Sequence, residues 1–287
     1  MPLSWITGNR CFLHWQVPCI LPRHRPCALI QLCGNLSTEM HVCSTRGIIL
    51  KVTSHGESDK IVTFYSPDIG RVTSIAKGAH RSKRRFVNKL ELFSLLRIAY
   101  RPSKNGGLLF LSEAELENPF LNLRTGYTRY VTAMLACELI VQFTSEHDPD
   151  PDIFELLLWL LSTTQKEENQ LRTAALFHLR LLSASGYQPQ LDDCHKCGIT
   201  VNKNRSFALQ PAHGALICNR CNSNVQHSGF SLSLQTIKFL QTAQQLNIQQ
   251  LGRLQLPRKN ARETLRVLYL YSQHLLQRDI HSWHFMQ

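Results

Sequence analysis

No apolar run in the 287 residues reaches the roughly eighteen that a membrane-spanning helix needs. With 43% hydrophobic residues, the chain reads as soluble and globular. Neither G-x-x-x-x-G-K-[ST] nor G-x-G-x-x-G occurs, so no glycine loop of the kind that brings backbone N–H groups to phosphates is visible. G-x-S-x-G and H-E-x-x-H are absent too, and no spacing of His and Asp picks out a catalytic triad. Acid is scarce. Asp and Glu number 20 against 32 Lys and Arg, a net charge of +12. These absences exclude a visible nucleotide-driven engine and a recognisable hydrolase. They leave a protein that works by binding, for which a polyanion is the natural partner and nucleic acid the commonest one.

Cysteine, by contrast, is plentiful, at ten residues. In a short secreted chain that would suggest disulfides. Here Cys194 and Cys197 form one C-x2-C knuckle and Cys218 and Cys221 a second, about twenty residues on, close to zinc-site spacing. Cys137 falls in an apolar helical stretch, so a reducing cytoplasm fits better. Four thiolates complete the tetrahedral shell of a structural Zn2+ and leave no open position for chemistry. A lone C-x2-C can be a redox pair. His195 and His213 are near enough to be ligands, although solvated loop histidines are the plainer reading. Phe207 and Leu209, with Ala215 to Ile217, flank a Pro211–Gly214 turn, so a hairpin is expected to carry the second knuckle. The insert at 191–226 has too little apolar area for its own core, and metal should hold it folded.

The first forty residues, with Cys11, Cys19, Cys27 and Cys33 and several prolines, show neither helical nor strand periodicity. Pro18, Pro22 and Pro26 interrupt any signal-peptide centre. They are expected to be a non-native or disordered extension, with Met40 the true start. From there on strands are expected, over residues 48–53, 61–65, 72–76, 92–100 and 108–112, with Pro67-Asp68-Ile69-Gly70 as a tight turn. Five short strands over residues 41–118 predict a closed barrel of the OB type. Between the third and fourth lies Lys77-Gly78-Ala79-His80-Arg81-Ser82-Lys83-Arg84-Arg85-Phe86. Clustered cations on a barrel neutralise phosphates without sequence preference. Lys77, His80, Arg81, Lys83, Arg84 and Arg85, with Arg71 and Lys104 from the same segment, are the expected DNA contacts. Phe64, Tyr65 and Phe86 are candidates to stack on bases or to fill the core. Glu113, Glu115 and Glu117 read as a solvated acidic link after the barrel.

Residues 119–287 read as helical. Helices are expected over 129–144, over 153–161 (apolar nearly all round, hence deeply buried), over 171–185 ending at Gly186, over 232–246 and over 260–277. The knuckles interrupt this run. The fold class is thus α+β: an OB barrel, then a helical domain with a four-cysteine insertion.

Gly47-Ile48-Ile49-Leu50-Lys51, Gly56-Glu57-Ser58-Asp59-Lys60-Ile61-Val62, Gly70-Arg71, Ala76-Lys77-Gly78-Ala79, Leu179–Leu182 with Gly186-Tyr187, the paired knuckles and Tyr271–His274 resemble, in order and spacing, the bacterial DNA repair protein family RecO. The resemblance runs from about Val42 to the end. It implies a recombination mediator of the RecF pathway that binds single- and double-stranded DNA and anneals complementary strands. It further implies contacts with RecR and with the acidic tail of single-strand-binding protein, and help in loading RecA, in a cytoplasmic, nucleoid-associated setting. Members of that family lack the first forty residues. An RNA-binding OB protein with a structural zinc is a second reading, and a zinc-dependent enzyme a third.

Overall fold

The computed structural model describes residues 42–102, 108–222 and 230–286. Five strands come first: β1 (Cys43–His55), β2 (Asp59–Ser66), β3 (Gly70–Ala76), β4 (Leu95–Arg101) and β5 (Leu109–Asn118). They close into a barrel in the order β1-β2-β3-β5-β4. All pairings are antiparallel except β3 with β5, which is parallel. This is the five-stranded OB barrel. β1 belongs to both halves, since Ile48 pairs with Tyr65 of β2 and with Leu95 of β4. A register shift between Ile49 and Lys51 bends the strand so that it can do so.

Period-2 alternation explains the packing. Ile49, Val62, Phe64, Val72, Leu96, Ile98 and Leu111 fill the barrel. Ile48, Leu50, Tyr65, Phe93 and Leu95 lie in a second cluster with Phe120, Phe154 and the helices. The barrel and the helical body therefore share one hydrophobic seam. The residues expected to form an acidic link lie instead in β5, which runs to Asn118. Glu113, Glu115 and Glu117 alternate along it, and Glu117 pairs with Arg46 at 3.0 Å and Arg97 at 3.2 Å. Acids at every second position marked an outward strand face, with basic partners on β1 and β4.

The helical body contains α1 (Tyr127–Phe143), α2 (Pro151–Thr164), α3 (Gln170–Ala184), α4 (Leu234–Gln245), α5 (Ile248–Leu251) and α6 (Arg258–Leu276). Asp150 caps α2 by accepting from the N–H groups of Asp152 and Ile153, with Pro151 preset in the first turn. Gly186, at φ +83°, ends α3 in the left-handed region, and the Tyr187 N–H returns to the Leu182 carbonyl. α3 is the central helix and packs against α1, α2, α4 and α6. α2 buries Ile153, Phe154, Leu156, Leu157, Leu160 and Leu161, as its composition implies, and Leu158 and Trp159 are partly covered. Among the described residues no helix is long and apolar enough to cross a membrane.

The cysteine insert lies between α3 and α4. Its hairpin, β6 (Phe207–Gln210) and β7 (Ala215–Cys218), is joined by β8 (Ser231–Leu232) in the order β7-β6-β8. Phe207, Leu209, Leu216 and Ile217 belong to the same core as α3 and α6. Gly214 in the hairpin turn has φ +58° and faces the Tyr271 side chain of α6 so closely that a Cβ would collide with it. The insert is therefore a part of the helical core, not an appendage held by metal alone.

Candidate nucleic-acid interface and metal centre

The two ends of the barrel are built differently. The β2–β3 turn faces the helical body, and Gly70, at φ +70°, lies against the backbone of Asp148. Thr45 Oγ1 bonds Ser66 Oγ and Asp68 Oδ2, both at 2.6 Å, which fixes the turn. At the other end meet the β1–β2 turn, the exit of β3 and the entry of β5, because Lys60 pairs with Ala76 and Ile75 with Phe110.

The basic loop closes this second end. Gly78, at φ +68°, lets the chain turn back, and its N–H donates to Asp59 Oδ1 at 2.8 Å. That bond, with one from the Ser58 hydroxyl, holds the Asp59 carboxyl below the usual range. The His80 N–H donates to the Ser58 carbonyl at 2.9 Å. Ala79, Phe86 and Leu90 are apolar pegs in the barrel core, so the intervening side chains must point out. Lys77, His80, Arg81, Lys83, Arg84 and Arg85 are all exposed. Arg85 donates to the Lys77 carbonyl at 3.2 Å and Lys89 to the Arg84 carbonyl at 3.1 Å, which folds the loop on itself. Arg81 faces Glu57 at 3.4 Å, but its side chain is 72% exposed, and such a pair is weak and easily screened.

Two expectations look different in three dimensions. Arg71 sits at the docked end. Its Nε and Nη2 donate to the Thr144 carbonyl at 3.2 and 3.0 Å, and Nη1 meets Glu146 at 3.4 Å. With its side chain 17% exposed, it is a clamp between the barrel and the loop after α1. Phe64, Tyr65 and Phe86 are buried in the core and offer no face to a base. Lys104 lies outside the described residues.

The knuckles come together as their spacing predicts. The sulfurs of Cys194, Cys197, Cys218 and Cys221 all lie within 4.8 Å of one another. Gly198, at φ +66°, lets the first knuckle turn, with its N–H on the Cys194 carbonyl at 2.8 Å. In the second, the N–H groups of Cys221 and Asn222 donate to the Cys218 carbonyl at 3.0 Å. Cys197 and Cys218 are 3.8 Å apart, sulfur to sulfur. A tetrahedron with arms of about 2.3 Å has edges of about that length, so the donor set fits a metal ion. Burial works against the Cys218 thiolate, but N–H donors and Arg205 outweigh it and bring its pKa down to about 6. Cys221 is pushed up to about 12, first by its bond to Cys197. Four sulfurs this close cannot all ionise unless a cation joins them. His195 and His213 stack on each other with centroids 4.6 Å apart, and the clustered donors are the four sulfurs. The sequence reading missed Arg205, whose Nη1 lies 3.5 Å from Cys218 Sγ. No spacing rule marks it.

The recombination protein O N-terminal family model matches residues 40–120, the barrel, and its C-terminal counterpart matches residues 124–284, the helical body with its insert. The chain belongs to the RecO family. A DNA repair protein RecO from Syntrophus aciditrophicus is 30% identical over 239 residues, 83% of this chain and 92% of that one. Another, from Syntrophobacter fumaroxidans, is 38% identical over 179 residues, 62% of this chain and 71% of its own. A third, from Anaeromyxobacter dehalogenans, is 28% identical over 84% of this chain and 94% of its own. The RecO matches cover both the basic barrel and the cysteine cluster.

Proposed function

We propose that this chain is a DNA-binding recombination mediator that anneals complementary strands without catalysing a covalent step. The observation that carries the reading is the exposed loop from Lys77 to Arg85, seated by three buried pegs on the undocked end of the barrel. Annealing requires that two phosphate backbones approach while bases stay free to pair. Lysine and arginine screen that repulsion and release counterions, with no need for nucleotide hydrolysis. Residues 41–118 supply this surface, and 119–287 supply the body that presents it. The four-thiolate cluster holds Zn2+ in a closed shell, where it braces the hairpin against α3 and α6. The setting is the cytoplasm of a bacterium, at the nucleoid, with RecR as a partner and RecA as the downstream beneficiary.

A groove of about 480 Å3 in the helical body suits the acidic tail of single-strand-binding protein. Tyr127, Val131, Leu171 and Met286 line it with apolar surface, and Arg258 and Arg262 supply positive charge beside Glu168. An acidic peptide would meet both cations and apolar surface there.

Strand annealing by the full chain tests the reading. The protein should accelerate pairing of complementary oligonucleotides, and R81A/K83A/R84A/R85A should abolish that acceleration at moderate salt. Wild-type protein with no effect on annealing would defeat it, as would a strong preference for RNA over DNA in direct competition.

A further inference from the structure

Phe64, Tyr65, Phe86 and Phe93 of the barrel are buried, whereas Phe110 is 37% exposed. Its position follows from register. Leu111 points into the barrel, so its neighbour Phe110 points out. Phe110 pairs with Ile75 of β3 on one side and with Arg101 of β4 on the other, and Ile75 pairs in turn with Ile61 of β2. Ile61, Ile75 and Phe110 thus form an outward apolar strip across three strands, and it ends at Arg101. Lys77, the first residue of the basic loop, places its Nζ 5.3 Å from the centre of the Phe110 ring. Among the described residues the buried Nε of Arg101 has no hydrogen-bond partner.

We infer that Phe110 is a stacking platform for one base of a single strand, and that it sets the preference of this surface for single strands over duplex. The inference rests on the DNA-binding reading above. The cations of the loop meet phosphates, which both forms of DNA present alike. An aromatic ring rewards only a base whose face is free, and in a duplex that face is already stacked on its neighbours. Lys77 lies over the outward ring, and once its flexible stem swings aside to a phosphate the pair matches the two things a single nucleotide offers, a π-face and a phosphate.

The test uses the full chain with an oligothymidylate carrying one 2-aminopurine, and a hairpin duplex of equal phosphate number. Phe110→Leu keeps apolar cover on the strip and removes the ring. It should weaken single-strand binding by about 5-fold or more, the range expected for one stacked base, and should abolish the quenching of 2-aminopurine. Duplex affinity should stay unchanged, and Phe110→Trp should restore both signals. Equal loss on single strand and duplex, or undiminished single-strand affinity in Phe110→Leu, would overturn the inference and leave the wider function standing. Wild-type protein that bound neither substrate would defeat the wider function itself.

Discussion

Arg71 and Arg81 lie ten residues apart on the same barrel, at opposite ends, and their guanidinium groups are used differently. Arg71 is held by the Thr144 carbonyl and by Glu146, groups more than seventy positions downstream. Among the described residues the Arg81 guanidinium meets Glu57 alone, with its side chain 72% exposed. A barrel end that docks on another layer consumes its charge in bonds, and one that faces water keeps it available. Charge counted along a sequence does not separate the two cases, because the acceptors that neutralise Arg71 come from another part of the chain.

This contrast can be broken or sharpened by experiment. The largest effect should come from the four-cysteine cluster, proposed above to hold zinc. Cys218→Ser should lose stoichiometric zinc in metal analysis and cost more than about 4 kcal/mol in unfolding experiments. Binding of single strands by the barrel should survive at low temperature. A mutant that kept its stability would mean that the metal does not brace the helical core. At the docked end, Gly70→Val meets the Asp148 backbone and also has to adopt φ +70°. It should lower stability by about 2–4 kcal/mol with no change in the salt dependence of DNA binding.

The two arginine sets should then separate cleanly. R81A/K83A/R84A/R85A should reduce the slope of log affinity against log salt by about 3 for single strands, taking roughly 0.7 per cation, and leave the unfolding temperature unchanged. Arg71→Ala should do the reverse, costing roughly 1–2 kcal/mol and leaving the slope alone. A change of slope in Arg71→Ala would erase the distinction between the ends.

The smallest effect concerns His178, buried on α3 with its Nε2 2.7 Å from Ser272 Oγ. Burial pushes its imidazole down to about 3, from 6.5. The folded protein thus resists a proton that the unfolded chain accepts. The stability contribution is complete above pH 6.5 and is lost as pH falls from there toward 3. Between pH 6.5 and 5 the loss should be roughly 1–2 kcal/mol, measured by denaturant unfolding, and His178→Gln should flatten that part of the profile.

The sequence was most legible where function is local. Two C-x2-C pairs carry their geometry in their spacing, and a run of cations between two strands stays a run in space. The turn at Pro67–Gly70 and the helix stop at Gly186 were equally local. What was hidden depended on distant partners. The acids of β5 read as a link because Arg46 and Arg97, which pair with Glu117, lie on other strands. α2 is apolar nearly all round, yet α3 takes the central place although it carries Arg172, whose 2% exposed side chain reaches Glu167 and the carbonyls of Gly252 and Leu254. Arg205 and Phe110 acquire significance only once the knuckles and strands bring them to their neighbours.

The seating of the Gly214 turn against Tyr271 has a consequence for synthesis. α6 leaves the ribosome after the hairpin, and until it does the hairpin has no wall on that side. The four thiols are translated at least fifty residues before Tyr271 and must wait, reduced and open to solvent. A product truncated before α6 should therefore hold an added metal ion less firmly than the whole chain.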